Sequence, residues 1–179
     1  DSAPLTHAKI LQSREDVRAM FTHAYDNYME LAFPHDELKP VSGGWTDSWA
    51  ELGNLAMQGL PANYSGVAMT LVESMSTLAV MGNTTEFSYA VRWCATNLSF
   101  DLDIRVNVFE SKIRLVGGLI SAHRLASDPA LGLMDDAGPV YSGELLALAV
   151  DLAERLLPAF DTPTEIPYAW VNLRRGVVK

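Results

Sequence analysis

The chain has 179 residues and a mass of 19.6 kDa, which predicts one folded domain or, at most, two. Apolar residues make up 49% of the sequence and charged residues 20%, a balance that excludes a disordered tail. The formal net charge of −9 argues against nucleic acid as a partner, because proteins that bind nucleic acid carry a basic stripe. No apolar run reaches the 18 residues that a transmembrane helix needs.

The first predicted helix begins after Ser13, carries an apolar stripe through Val17 and Met20, and ends at Pro34. A loop is expected to follow as far as Pro61. Apolar residues at three- and four-residue steps predict helices over residues 14–33, 65–81, 85–98, 108–127 and 143–157.

Two of these helices, 65–81 and 108–127, are apolar around more than a third of their circumference, which is typical of helices buried on two sides. Two such helices indicate an inner ring covered by an outer one, an object larger than 179 residues. The tail 161–179 is predicted to form a turn and short extended strands. We therefore predict an all-α fold of paired inner and outer helices.

Cysteine and sequon positions bear on the cellular compartment. The lone Cys94 excludes an internal disulfide, and its place on a predicted helix favours a small buried hydrophobic side chain. Three Asn-x-Ser/Thr sequons predict N-glycosylation at Asn63, Asn83 and Asn97, which would place the protein in the secretory pathway. The alternative is that the three sequons occur by chance.

The fourth predicted helix carries an acid and a base on one face. Glu110 and Arg114 are four residues apart and are therefore adjacent on a helix. Gly117 and Ser121 continue this face with little bulk, although a glycine inside a helix costs about 1 kcal/mol relative to alanine. Two interpretations are open: an exposed ion pair with close helix packing over the glycines, or an acid and a cation that face a ligand cavity.

Four segments in one order closely resemble glycoside hydrolase family 47, the class I α-1,2-mannosidases. These segments are HAYDNYMELAFPHDELKPVS (23–42), TLVESMSTLAVMGNTTEF (70–87), NVFESKIRLVGGLISAHRLAS (107–127) and LLPAFDTPTEIPYAWVNLRRGV (156–177). The AFP-x-DEL and LLPAF-x-TPT pieces most resemble the ER degradation-enhancing α-mannosidase-like branch. The resemblance implies an (α/α)7 barrel, which agrees with the two rings of helices inferred above.

The resemblance covers the N-terminal part of the family's catalytic domain. We therefore expect residues 1–179 to be the N-terminal portion of a single catalytic domain whose remainder is absent from this chain. This portion alone is expected to be inactive. The resemblance implies Ca²⁺ as a cofactor, held by a threonine outside this chain, and no residue present here is expected to bind a metal.

Four residues acquire roles from the resemblance. Glu110 matches the general acid of the family motif F-E-x-x-I-R, and Arg114 matches the arginine of that motif, which contacts sugar or orients acids. Asp36 and Glu37 match the D-E-L motif and are expected to bind substrate or support the pocket. An inverting glycosidase needs a protonated carboxyl at the leaving oxygen and a second carboxylate that activates water, and only the first is visible here.

The chain departs from the family pattern at three places. The family motif D-x-x-D-T has an aspartate at two positions where this chain has Glu73 and Ser76. The first acid is therefore longer here, and the second is lost. The glycine of the family's T-G-I-P is Glu165. The cysteine after the family's P-L-S is Gly43, which leaves Cys94 without a disulfide partner.

The resemblance implies an enzyme of the ER lumen that trims α-1,2-linked mannose from N-glycans of glycoproteins, in quality control and ER-associated degradation. Its partners would be high-mannose N-glycans and, in addition, an ER oxidoreductase. The alternative is a catalytically impaired protein of the same fold that binds high-mannose glycans or misfolded clients. Glu110 and Arg114 favour the enzyme, whereas Glu73 and Ser76 favour the binding protein.

Overall fold

The computed structural model describes residues 6–51, 60, 64–135 and 138–177. The helices in this part are α1 (His7–Leu31), α2 (Ser48–Glu51), α3 (Met69–Met81), α4 (Thr84–Asn97), α5 (Val108–Glu110), α6 (Gly117–Ala126) and α7 (Glu144–Leu156). The strands are β1 (Glu37–Lys39), β2 (Gly44–Thr46), β3 (Arg105–Asn107) and β4 (Trp170–Asn172). A π-helical turn, Ser111–Val116, joins α5 to α6, and 3-10 turns follow α6 at Pro129–Leu131 and α7 at Leu157–Phe160.

The core lies between α3, α4, α6 and α7, which pack on one another. Its largest fully buried apolar side chains on these helices are Leu71, Met75, Leu78, Phe87, Leu119, Leu145 and Leu152. Helix α6 packs against α3, α4 and α7. A Cβ added at Gly118 would lie 2.9 Å from Cγ1 of Val72, so that this glycine allows α6 to approach α3 closely.

Two consecutive residues, Gly82 and Asn83, form the junction between α3 and α4. Gly82 ends α3 in the left-handed conformation, with φ of 75°, which glycine adopts without a Cβ clash. The side chain of Asn83 then caps α4 by accepting a hydrogen bond from the backbone N–H of Glu86 at 3.2 Å. On α4, Cys94 is fully buried, and burial raises the pKa of its thiol to about 12, as suits an inert core side chain.

Helix α1 departs from its prediction in two ways. It begins seven residues earlier than predicted, because the side chain of Thr6 caps it by accepting a hydrogen bond from the N–H of Lys9. The N-terminal part of the predicted apolar stripe is in solvent, where Val17 and Met20 are 48% and 70% exposed. No neighbour covers this face within the described residues, and Tyr25 and Tyr28 make the helix's main core contacts.

The loop predicted after α1 contains structure that the sequence pattern did not indicate. Strands β1 and β2 form an antiparallel hairpin in which Leu38 lies opposite Trp45, and α2 follows. Strands of three residues are too short for a clear alternation of apolar and polar side chains, which explains why they were missed. The short extended strands predicted in the tail are confirmed by β4, which pairs antiparallel with β3.

Candidate functional site

A cavity of about 280 Å³ lies beside the start of α5, where the hairpin, α3 and β4 meet. Its lining side chains are Glu37, Ser48, Trp49, Met69, Asn107, Glu110, Arg114 and Trp170. Three of the predicted site residues, Glu37, Glu110 and Arg114, therefore line one cavity. Features of both interpretations of the fourth predicted helix are present: Glu110 and Arg114 line the cavity, but they also form a part-exposed ion pair, and Gly118 of the same helix packs closely against α3.

Arg114 is held between two carboxylates. Its Nε donates to Oε2 of Glu110 at 2.6 Å, and its Nη1 donates to both carboxylate oxygens of Glu73 at 3.0 and 3.1 Å. The hydrogen bond to Glu110, reinforced by the charge and hydrogen bonds of Glu73, raises the pKa of Arg114 above its ordinary value. The guanidinium therefore stays charged, and each of the three side chains keeps about 40% of its surface in solvent.

Local backbone geometry sets the position of Glu110. The side chain of Asn107 caps α5 by accepting a hydrogen bond from the N–H of Glu110 at 3.0 Å. The π turn follows at once, with the N–H of Gly117 reaching back to the carbonyl of Lys112. Such turns inside helices are frequent at functional sites, because they turn side chains away from the regular helical positions.

Asp36 does not line the cavity, and it is fully buried. Its carboxylate accepts hydrogen bonds from the backbone N–H groups of Val67 at 2.8 Å, Trp49 at 3.3 Å and Met69 at 3.4 Å. Burial raises the pKa of Asp36 to about 6, although the hydrogen bond from Val67 opposes that shift. This residue holds together the backbone segments that carry the cavity residues Trp49 and Met69.

A second buried acid, Asp47, lies next to Asp36 and accepts a hydrogen bond from its backbone N–H at 3.2 Å. The ring of His35 also bonds the Asp47 carboxylate, at 3.0 and 3.1 Å. Gly66 approaches this pair closely: at its φ of 80°, an added Cβ would lie 2.4 Å from Oδ1 of Asp47. Glycine is required there because any side chain would displace the acids that support the cavity.

Two cavity residues, Trp49 and Trp170, were not among the predicted site residues. Trp170 reaches the cavity because the pairing of β3 with β4 sets it opposite Asn107, 63 positions earlier in the chain. The Arg105 guanidinium lies over the Trp170 ring, 5.4 Å from its centroid. Neither tryptophan carries a sequence signal of its role, since both depend on contacts between distant segments.

The predicted glycosylation sites fall in different places. Asn83 and Asn97 are exposed, at the start and the end of α4. The side chain of Asn97 donates a hydrogen bond to the backbone carbonyl of Trp93 at 2.9 Å. Asn63 lies outside the described residues.

Comparison with protein families decides which family has this arrangement. The model of glycosyl hydrolase family 47 matches residues 20–179. The chain belongs to this family. The match includes the three acids and the arginine that were assigned to the site.

Curated relatives of the chain carry mannosidase names. It is 58% identical over 168 residues to alpha-mannosidase I MNS5 of Arabidopsis thaliana, an alignment that covers 94% of this chain and 29% of that protein. It is 44% identical to ER degradation-enhancing alpha-mannosidase-like protein 2 of Mus musculus, with 92% of this chain and 26% of that protein covered. The chain thus spans less than a third of the length of these relatives.

The fold of the chain also matches that of a solved mannosidase structure. An alpha-1,2-mannosidase from Trichoderma reesei superposes with a TM-score of 0.74 at 27% identity, over 92% of this chain and 31% of that one. The prediction of an all-α fold that forms part of an (α/α)7 barrel is confirmed. No helix among the described residues is long and apolar enough to cross a membrane.

Two departures from the family 47 pattern have structural consequences. Glu73, which stands where the pattern has a shorter acid, is the residue that reaches Arg114. Glu165, which replaces a glycine, adopts the left-handed conformation with φ of 61°. A side chain in that conformation brings its Cβ close to its own backbone, so this turn carries a cost in free energy that a glycine would not.

The described residues do not fit the calcium ion that the family implies. No group of three or more His, Cys, Asp or Glu side chains that could hold a metal ion occurs within the described ranges. Calcium favours six to eight oxygen ligands, which such a site would have to supply. We therefore derive no step of the chemistry through calcium.

Proposed function

We propose that the protein carrying this chain is an α-mannosidase that trims α-1,2-linked mannose from high-mannose N-glycans. The observation that carries the proposal is the placement of Glu110 and Arg114 in one cavity of a family 47 chain. The mannosidase names of the relatives support the same substrate class.

In the proposed mechanism Glu110 is the general acid. It gives a proton to the glycosidic oxygen as the bond to mannose breaks, and an inverting enzyme uses a second carboxylate to activate water on the opposite face. That second group is expected in the part of the domain beyond this chain. Arg114 orients Glu110 and contacts sugar hydroxyls, and Glu37, which lines the same cavity, provides a further acceptor for them.

We assign Asp36 to support of the cavity, one of the two roles open to the D-E-L motif. A side chain without solvent-exposed surface and with three backbone hydrogen bonds has no free oxygen directed at a sugar. Its effect on substrate passes through Trp49 and Met69, whose backbone it holds.

The proposal includes a cellular setting. Glycoproteins in the ER lumen would be the partners, and trimming would act in glycoprotein quality control and ER-associated degradation, as the names of the degradation-enhancing relatives suggest. The exposed sequon residues Asn83 and Asn97 suit a protein of the secretory pathway. The ER oxidoreductase partner stays a prediction from the resemblance alone.

We also propose that residues 1–179 form the N-terminal portion of a single family 47 catalytic domain, and that this portion alone is inactive. The exposed apolar side chains of the Glu110 helix, Phe109, Ile113 and Ile120, support this proposal. Such side chains on one helix face would pack against the other helices of a closed barrel.

A second candidate function is a glycan- or client-binding protein of the same fold that has lost turnover. The observation that favours it is Glu73, because its bonds to Arg114 compete with a sugar for the same guanidinium. Turnover separates the two functions, since both would bind high-mannose glycans.

The test uses the complete protein that carries this chain, incubated with a high-mannose oligosaccharide while released mannose is measured. Glu110→Gln should lower turnover by about 10²-fold or more, because it removes the transferable proton with little change of shape. Glu30→Gln, on the exposed face of α1, is the matched control and should leave turnover unchanged. Binding without turnover in the wild type would favour the second function, and equal turnover in both variants would exclude Glu110 as the acid.

A further inference from the structure

A hydrogen bond links the segment after the hairpin to the helix that carries the candidate acid. The indole N–H of Trp49 donates to Oγ of Ser111 at 2.8 Å. Ser111 is the residue immediately after Glu110. Trp49 is 4% exposed and Ser111 is fully buried, so that water does not replace either partner.

The bond continues into the backbone that positions Glu110. The Ser111 hydroxyl donates in turn to the carbonyl of Asn107 at 2.6 Å, while the Asn107 side chain accepts from the N–H of Glu110 at 3.0 Å. Trp49 is thus linked through Ser111 to Asn107, and these two residues flank the single turn that carries Glu110.

Trp49 itself is fixed from two other directions. Its backbone N–H donates to the buried carboxylate of Asp36 at 3.3 Å, and Phe100 meets its ring edge to face at a centroid distance of 6.0 Å. The indole therefore has one orientation, in which its N–H points at Ser111 and its ring lines the cavity.

We propose that Trp49 and Ser111 are positioning residues for Glu110: their hydrogen bond holds the first turn of the helix so that the Glu110 carboxyl faces the glycosidic oxygen. The proposal rests on the proposed function, in which Glu110 is the general acid. It also gives Asp36 a route to Glu110 through the backbone N–H of Trp49, although Asp36 does not line the cavity.

The test measures kcat and KM of the complete protein on a high-mannose oligosaccharide. Trp49→Phe keeps an aromatic side chain but removes the five-membered ring that carries the N–H, and Ser111→Ala removes the acceptor. Each should lower kcat at least about tenfold with KM within about twofold, because small displacements of a catalytic group slow the reaction while binding is retained. Trp93→Phe, outside the cavity lining, is the matched control. The double variant Trp49→Phe/Ser111→Ala should be no slower than the slower single variant, since both changes remove the same bond.

A cycle with Glu110 separates positioning from general damage to the fold. Trp49→Phe should slow the wild type but have little further effect in a Glu110→Gln background, measured at raised enzyme concentration. An equal loss of kcat in both backgrounds, or no loss in Trp49→Phe, would overturn the positioning role. If Glu110→Gln alone retains full turnover, the proposed function is wrong instead, and the two failures are therefore distinguishable. A circular-dichroism melt of each variant confirms that it is folded at the assay temperature.

Discussion

Glu73 on α3 and Arg114 on the π turn, 41 positions apart, form a two-pronged ion pair with Nη1–Oε distances of 3.0 and 3.1 Å. Glu73, the residue that departs from the family pattern, therefore links α3 to Arg114, which also bonds the candidate general acid Glu110. The longer side chain reaches the guanidinium across the gap between the two helices. Arg114 is shared between Glu73 and Glu110, and whatever alters one bond alters the other.

Removal of this ion pair should affect activity more than stability. Glu73→Gln replaces an ionised partner of Arg114 with a neutral one, so the guanidinium that orients Glu110 is held less firmly and turnover should fall. Because the side chains are about 40% exposed, the loss in free energy of unfolding should be below about 1 kcal/mol. The measurement is a pair of urea titrations with turnover assays, using the exposed Glu154 of α7 in the variant Glu154→Gln as the control. A large loss of stability would show that the pair has a mainly structural role.

Replacement of Glu165 by glycine should stabilise the protein. The residue holds φ of 61°, where a Cβ is unfavourable, so Glu165→Gly should raise the free energy of unfolding by about 0.5–1 kcal/mol. Glu165→Ala keeps the Cβ and serves as the control, with a change near zero expected. The melting temperatures of the wild type and the two variants are compared. Equal values for the wild type and Glu165→Gly would contradict a strained turn.

Stability should fall as pH rises through the titration of Asp36. The pKa of this carboxyl is about 6 in the folded state and 3.8 as its ordinary value. Between these pH values the folded state binds more protons than the unfolded chain, so the free energy of unfolding decreases as pH increases and levels off above pH 6. The decrease should not exceed about 3 kcal/mol.

Asp36→Asn isolates this contribution from the other titrating groups. The amide cannot ionise, so the stability difference between wild type and variant should be larger at pH 4.5 than at pH 7.5. Denaturant titrations at the two pH values give that difference. A difference that grows with pH would mean that the buried carboxylate is stabilised by its backbone hydrogen bonds more than burial destabilises it.

Glycosylation of the exposed sequons is best tested by substituting the Ser or Thr of each sequon rather than its asparagine. Asn83 caps α4, so Asn83→Gln would lose both a glycan and a helix cap worth about 1 kcal/mol. Thr85→Ala and Ser99→Ala remove the sequons of Asn83 and Asn97 while both asparagines stay. Expressed in a eukaryotic host, the wild type should lose mass on endoglycosidase treatment, and each variant should lose less. No mass loss in the wild type would show that the sequons occur by chance.

The sequence determined those features that depend on neighbours along one helix. The adjacency of Glu110 and Arg114 is predicted by their four-residue step on a helix, and it persists in the structure although a π turn begins between them. The cap at Asn83 and the burial of Cys94 follow equally from side chains within a turn or two. Motif order along the chain identified the family because that order is itself a property of the sequence.

Only the tertiary structure decided which distant segments meet at the cavity. Trp170 reaches it through strand pairing, Trp49 through its bond to Ser111, and Asp36 is excluded from it by burial. The same applies to α1, where a correct apolar pattern did not show that the N-terminal part of its stripe faces solvent in the described part of the chain. A periodic pattern reports that a face is apolar, whereas the contacts that cover it depend on packing between elements far apart in sequence.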